Sequence, residues 1–535
     1  MGRIDYRCVT TSVRIVPVSS CRNVSTIMSK MRQLPLYSAF ALIPALFSLP
    51  SAYGENLEDC VVRLTSQVRF PNPIRPWTRA NAIEGSGTGV HIGGGRILTN
   101  AHLVLYATEV DVLSRGGRER TETTVQFVDP ESDLAILVAK DSDLLQKLPV
   151  MPIAGEDPKT QENVTVYGFP VGGDQLSVTQ GVISRIEIAN LGIGNFGKVL
   201  QVSAAINPGN SGGPGVVNGK MVGLVFSRLE EAENTGFLIS SDEVKQFLKD
   251  IEDGKVEGKQ GMETRLNLKS LENETMRKML DVPAGTHGIV LTPDGGKPLR
   301  GGLKPFDVIT HVGDFEIDDQ GAGRLESGLR VPVFYLAHLV VKDGQIPMKV
   351  IRDGKEVKLS YPAVRSRDML VQQLRGEELP YFVHGPLIFA PMVRDSIVLY
   401  TRVNPELLAR NTPWITRAEE TRAFPDEELV VVTAPLFKHR SMKGYDEVLG
   451  QVVARVNGVP IKNFRHLVEV LRDAKEPFLK VEFAESLSPV LVFDQKQIES
   501  ITESILEDNG IAPGKRGSKD AMKIWNEKDN AKTGG

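Results

Sequence analysis

One stretch gathers what a nucleophile on a shaped turn requires: Asn207, Pro208, Gly209, Asn210, Ser211, Gly212, Gly213 and Pro214. A serine hydroxyl is a weak nucleophile, so it needs a neighbouring base, and its attack creates an oxyanion that needs donors. Glycines here let the backbone take positive φ and let a carbonyl come close, making the amides of Gly209, Asn210 and Ser211 the candidate oxyanion hole. The base and its orienting group stand upstream. His102 ends the run Ile97-Leu98-Thr99-Asn100-Ala101-His102, which reads as a strand entering a turn. Asp133 joins a polar turn to the apolar run Leu134-Ala135-Ile136-Leu137. A carboxylate at the edge of a buried strand needs a partner, and an imidazole N–H supplies one. Taken singly, each is an ordinary turn residue. Together, each at a strand-to-turn junction, they predict acyl transfer by a His-Asp-Ser triad.

The elements that must position these residues read as β-structure. Short apolar runs recur between turn signals at 87–92, 96–99, 109–113, 123–128, 134–138, 164–167, 175–186, 199–202, 220–226 and 236–239, which predicts a barrel or sandwich. Cys60, just before Val61-Val62-Arg63-Leu64, reads as a small buried hydrophobe of a first strand. The proline-rich segment 69–84, carrying Trp77, is expected as a surface loop, and 189–198, with three glycines, as another near the site. Gly85-Ser86-Gly87-Thr88-Gly89 is no nucleotide fingerprint, for it lacks the flanking strand and helix; its glycines are expected to let strands pass closely. With no Walker A pattern and eight dispersed histidines, neither ATP, a metal nor any other cofactor is expected.

The blocks TNAH (99–102), SDLAIL (132–137) and AINPGNSGGP (205–214) resemble the three active-site blocks of the Deg/HtrA family of trypsin-like serine proteases. The likeness is closest to the plant-type Deg proteases and their bacterial relatives. It implies a mainly β fold, a chymotrypsin-like pair of six-stranded barrels followed by two PDZ-like α+β domains. It also implies that His102 is the general base, Asp133 its partner and Ser211 the nucleophile. One departure is visible: Ser203 stands where many members carry Asp, which bears on the ordering of the oxyanion turn.

On this reading 1–54 is a targeting region, with a signal peptide at about 31–54, and 55–253 is the protease domain. The targeting segment is too short and too broken by proline for a permanent membrane span. Export to a bacterial periplasm or cell envelope is expected, with a chloroplast or mitochondrion as the alternative. Units 258–364 and 365–495 share a strand, turn, strand and helix layout, a repeat that predicts duplicated domains; both resemble PDZ domains, the second with an insertion at 390–427. The first is expected to bind C-terminal or internal peptides, with Gln260, Gly261 and Met262 as its carboxylate loop and Phe306 where related turns carry Gly. The remainder, 496–535, is expected as a helix and a disordered tail.

Composition bounds the function. The 535 residues carry a net charge of −4, which argues against a nucleic-acid binder held by phosphate contacts. Pocket-wall segments 204–208, 223–227 and 236–239 are small or apolar, predicting cleavage after small or aliphatic residues. The sequence thus points to an ATP-independent serine endopeptidase acting on unfolded or misfolded chains, assembled as a homotrimer or multiple of trimers, as the resemblance implies. The alternative is a peptide-binding scaffold or holdase with a gated cleft.

Overall fold

The computed structural model describes residues 56–532, apart from 115–119, 140–144, 146, 193–194, 227–235, 294–298, 404–411, 434–436, 446–447, 486–489 and 513. The expected targeting region lies outside the described residues.

Twelve strands form two closed barrels, as the family resemblance implies. The first orders β1 (Val61–Val68), β2 (Ile83–His91), β3 (Arg96–Thr99), β6 (Leu134–Ala139), β5 (Arg120–Asp129) and β4 (Ala107–Leu113) around its closure. In β1 every second residue is buried from Val62 to Val68, the two-residue period of a strand with one wet face. β6 is apolar throughout and buried for its first four residues, so it runs through the core. The second barrel orders β10 (Pro214–Val217), β11 (Lys220–Phe226), β12 (Gly236–Ser240), β9 (Asn195–Val202), β8 (Ser177–Gly192) and β7 (Asn163–Gly168). Cys60 is fully buried beside β1. The glycine-bearing segment 189–198 differs from the expected loop: β8 and β9 continue through most of it as one long hairpin. Gly197 is matched to Ala189 in that ladder, and the pairing runs on to Gly192 opposite Asn195.

The chain leaves β12 through the helix Ser241–Asp250, whose N-terminus Ser240 caps by accepting from Glu243 N. Glu243 is itself buried, and its carboxylate gathers Lys198 N (2.8 Å), Tyr335 Oη (3.3 Å) and Lys259 Nζ. Since Tyr335 lies on the helix Val333–Leu339 of the following domain, this one acid joins barrel to domain. Phe196 of β9 and Phe334 stack at the same joint, 6.2 Å between ring centres.

That following domain is a sheet in the order Leu268–Ser270, Ile289–Leu291, Val308–Val312, Gln345–Arg352, Lys355–Pro362, packed on two helices. Phe306, where glycine was expected from the resemblance, has φ +71°, the left-handed conformation that favours glycine. The second PDZ-like domain contains a three-stranded sheet of Phe382–His384, Leu387–Pro391 and Val430–Val432, and a four-stranded sheet around Val453–Val456 and Phe478–Phe483. Its insertion carries the helix Arg394–Val403 and the fully buried Trp414, whose indole N–H donates to Gly450 O at 2.7 Å.

The expected disordered tail is a correction. Residues 516–518 pair with the edge strand Phe382–His384, through Val383 N to Arg516 O (2.8 Å) and Ser518 N to Tyr381 O (2.9 Å). A helix, Lys519–Lys532, then packs on the helix Phe464–Asp473. Polar composition hid this because few of its residues, Ala521, Met522, Ile524 and Trp525, pack against the core. The segment 69–84 is likewise more than a surface loop: Ile74 and Trp77 pack into the second PDZ-like domain, with Trp77 5.8 Å from Phe437 and 6.2 Å from Tyr381, ring centre to ring centre.

Candidate active site

The first barrel ends two adjacent strands where the chemistry is expected. β3 stops at Thr99, and a short 3-10 turn, Ala101–Leu103, lifts His102 out of the strand. The β5–β6 turn brings Asp133 alongside, with φ +54°, a left-handed conformation that Asp tolerates better than most residues. Four hydrogen bonds converge there. Asp133 O accepts from Ala101 N (3.1 Å) and Asn100 Nδ2 (3.1 Å), Asp133 Oδ1 accepts from His102 N (2.8 Å), and Asp133 Oδ2 lies 2.7 Å from His102 Nδ1. A carboxylate can only accept, so Nδ1 carries the proton and Nε2 is left as the basic nitrogen. The Asp133 side chain is 3% exposed and that of His102 35%, so the acid is dry and the imidazole reaches the cleft.

Ser211 comes from the second barrel, on a turn that only glycine can make. Gly209 and Gly212 have φ of +98° and +83°. A Cβ on Gly212 would sit 2.0 Å from Thr88 O, and one on Gly209 2.5 Å from Phe169 O. The contact with Thr88 explains how the two barrels are held in register. Thr88 N donates to Ser211 O (2.9 Å), its hydroxyl donates to Gly209 O (2.8 Å) and accepts from Phe169 N (2.9 Å), and its carbonyl accepts from Thr99 Oγ1 (2.8 Å). Thr99 lies three residues before His102. One fully buried threonine therefore links the serine turn to the strand that carries the histidine.

Of the three expected oxyanion donors, Asn210 is otherwise engaged, because its N–H donates to Asn207 O at 3.0 Å in closing the turn. Pro208 O accepts from Val171 N at 2.9 Å, and since C=O and N–H point to opposite sides of a trans peptide, Gly209 N–H faces away from Val171. Ser203, the departure noted above, accepts from Val182 N through its hydroxyl at 3.0 Å, joining β8 without a charge. Toward the pocket, Ile206 covers Gly236, whose Cβ would lie 2.3 Å from Ile206 Cδ1. Ser227 of the expected pocket wall lies outside the described residues.

The first PDZ-like domain corrects one expectation. Gly261 N donates to Val364 O and Gly261 O accepts in return from Val364 N, both at 2.9 Å, so the backbone of Gly261 is spent on pairing. Gln260 O takes the His338 ring nitrogen at 2.5 Å and Met262 is buried in the core. The outer edge of that sheet is Leu268–Ser270, a few residues further on. The sequence pointed to Gln260, Gly261 and Met262 because one glycine in a polar run resembles a carboxylate loop. Sequence reading missed Thr88 altogether, although a threonine between two glycines on a buried strand was the available signal.

Comparison with known proteins agrees with this geometry. A trypsin-like peptidase domain is matched over residues 87–224 and a PDZ domain over 371–519. "Protease Do-like 2, chloroplastic" of Arabidopsis thaliana is 31% identical over 461 residues, covering 85% of this chain and 74% of that relative. The chain belongs to the Deg/HtrA family of serine proteases. "Protease Do-like 4, mitochondrial" of the same plant is 27% identical over 459 residues, spanning 84% of this chain and 83% of its own length. "Serine protease Do-like HtrA" of Bacillus subtilis is 30% identical over 296 residues, spanning 51% of this chain and 62% of its own length. This Deg/HtrA chain is a serine endopeptidase with a C-terminal PDZ domain. Its relatives include chloroplast, mitochondrial and bacterial members. Among the described residues no helix is long and apolar enough to cross a membrane.

Proposed function

We propose that His102, Asp133 and Ser211 form the catalytic triad of an ATP-independent protease of unfolded or damaged proteins. The observation that carries this reading is the double hydrogen bond from His102 to the dry carboxylate of Asp133. Nε2 of His102 takes the Ser211 proton as Ser211 attacks the peptide carbonyl, and later returns it to the leaving amine. Asp133 holds the ring in the tautomer this requires and stabilises the imidazolium. The amides of Gly209 and Ser211 stabilise the oxyanion. A pocket floored by Ile206 over Gly236 favours small or aliphatic side chains before the scissile bond.

Peptides add as a strand beside Leu268–Ser270, an edge of the sheet of the first PDZ-like domain, rather than at Gln260, Gly261 and Met262. Trimeric assembly, and export or import into an organelle, complete the reading on the strength of the family relationship alone. The deciding experiment is casein degradation without ATP by the wild type and by Ser211→Ala. Loss of the serine is expected to abolish turnover, by on the order of a million-fold as in related triads. Equal inactivity of both proteins, with binding of unfolded chains retained, would favour a holdase.

A further inference from the structure

The turns that carry His102 and Asp133 are both fastened to one segment outside the barrels. Four residues after His102, Tyr106 adopts φ +65°, an unusual conformation for an aromatic residue that its surroundings must impose. Leu105 N to Ala101 O (2.8 Å) and Ala107 N to Val104 O (3.0 Å) make the chain from His102 to Tyr106 one stiff turn. The Tyr106 hydroxyl donates to Asp395 Oδ1 at 3.0 Å, with Leu374 O at 3.2 Å. The other oxygen of Asp395 accepts from Leu374 N at 2.9 Å.

Two residues before Asp133, Glu131 makes the matching contact. Its carboxylate accepts from Arg375 Nη2 at 2.7 Å and from the hydroxyl of Ser366, which Arg375 also reaches at 3.0 Å. The Glu131 and Arg375 side chains are 14% and 23% exposed, so water screens this pair far less than a surface bridge. The turn itself is stiff, since Asp129 accepts from Glu131 N (3.1 Å), Ser132 N (3.3 Å) and Ser132 Oγ (2.6 Å). Leu374 and Arg375 are adjacent. The two catalytic turns are therefore held by neighbouring residues of one segment, 366–395, which opens the second PDZ-like domain.

We propose that this segment is a positioning clamp for the triad, so that the second PDZ-like domain is a working part of the peptidase site. Tyr106, Glu131, Arg375 and Asp395 act through His102 and Asp133 and touch no reacting atom. The proposal rests on the triad assignment made above. It is tested on the full chain with a short fluorogenic peptide, measuring kcat and KM for the wild type, Ser211→Ala, Tyr106→Phe, Arg375→Ala, Arg375→Lys, Glu131→Ala and the double variant Glu131→Ala/Arg375→Ala.

Tyr106→Phe and Arg375→Ala are each expected to lower kcat about tenfold with KM unchanged, a fraction of the roughly hundredfold that a misplacement of about 1 Å can cost. Arg375→Lys should recover most of the loss, and the double variant should be no worse than its poorer single. Tyr106→Phe removes one oxygen and keeps the ring, so its kcat decides the matter even where Arg375→Ala fails to fold. A kcat within about twofold of wild type in Tyr106→Phe, with Ser211→Ala inactive, overturns the clamp and leaves the triad standing. Turnover that persists in Ser211→Ala overturns the triad and the clamp with it.

Discussion

The residue with the most consequence for its size is Thr88, because it stands on the first barrel and its hydroxyl and amide bond to the second. Thr88→Val keeps the shape and deletes the hydroxyl, leaving Phe169 N–H and Gly209 C=O without their partner in a dry site. An unsatisfied buried polar group costs roughly 1–3 kcal/mol, so the denaturant midpoint should fall by an equivalent amount. Turnover should fall too, since the Gly209 peptide loses its support, whereas Thr88→Ser should behave nearly as wild type in both assays. Equal stability and activity in Thr88→Val would remove Thr88 from the account. The pairing of His102 with Asp133 was legible in the sequence because reactive residue types at strand ends are rare in combination. Thr88 was not, since a threonine on a strand is common and its importance arises only when two barrels meet.

At the scale of elements, alternation and punctuation located most strands of the barrels, and failure came where long-range packing decides. β10 was not read as a strand because Gly and Pro open it, yet it pairs with β7 and β11 on the way from Ser211. The helix Lys519–Lys532 was read as tail because its polar composition carries no strong amphipathic pattern. Its place is set by a few contacts: Trp525 lies 5.0 Å from Phe382, ring centre to ring centre, and the Arg516 guanidinium 4.1 Å over the indole. Burial holds the Arg516 guanidinium down at about 10, still charged at neutral pH and available to the ring face. Trp525→Ala should therefore cost about 2–3 kcal/mol of stability, part cavity and part cation–π contact. Limited proteolysis checks this, because the wild type should resist cleavage between 509 and 532 and the variant should be cut there. Equal cleavage of both would mean that the helix contributes nothing to the fold.

For the whole molecule, the joints between domains include buried polar groups that no local pattern announces, and these give stability a predictable dependence on pH. His338 lies where the first PDZ-like domain meets the barrels, its ring bonded to Gln260 O with Lys259, Glu243 and Tyr335 around it. Burial, helped by the Lys259 charge, pushes its pKa down to about 4. His384, fully buried beside Arg516 in the second PDZ-like domain, is pushed down to about 3, again by burial first and then by that charge. In the unfolded chain both would titrate near 6.5, so between the two values the unfolded state binds more protons than the native one. The stability these two histidines contribute is therefore full above about pH 6.5 and is lost as pH drops through their native values, by roughly 2–3 kcal/mol for His338. Thermal unfolding followed from pH 7.5 to 4 should show this decline. His338→Asn keeps a donor toward Gln260 and cannot be protonated, so its decline should be shallower by one proton between pH 6.5 and 4. A slope identical to wild type would mean that His338 is already hydrated in the native state, and that the joint it occupies opens readily in solution.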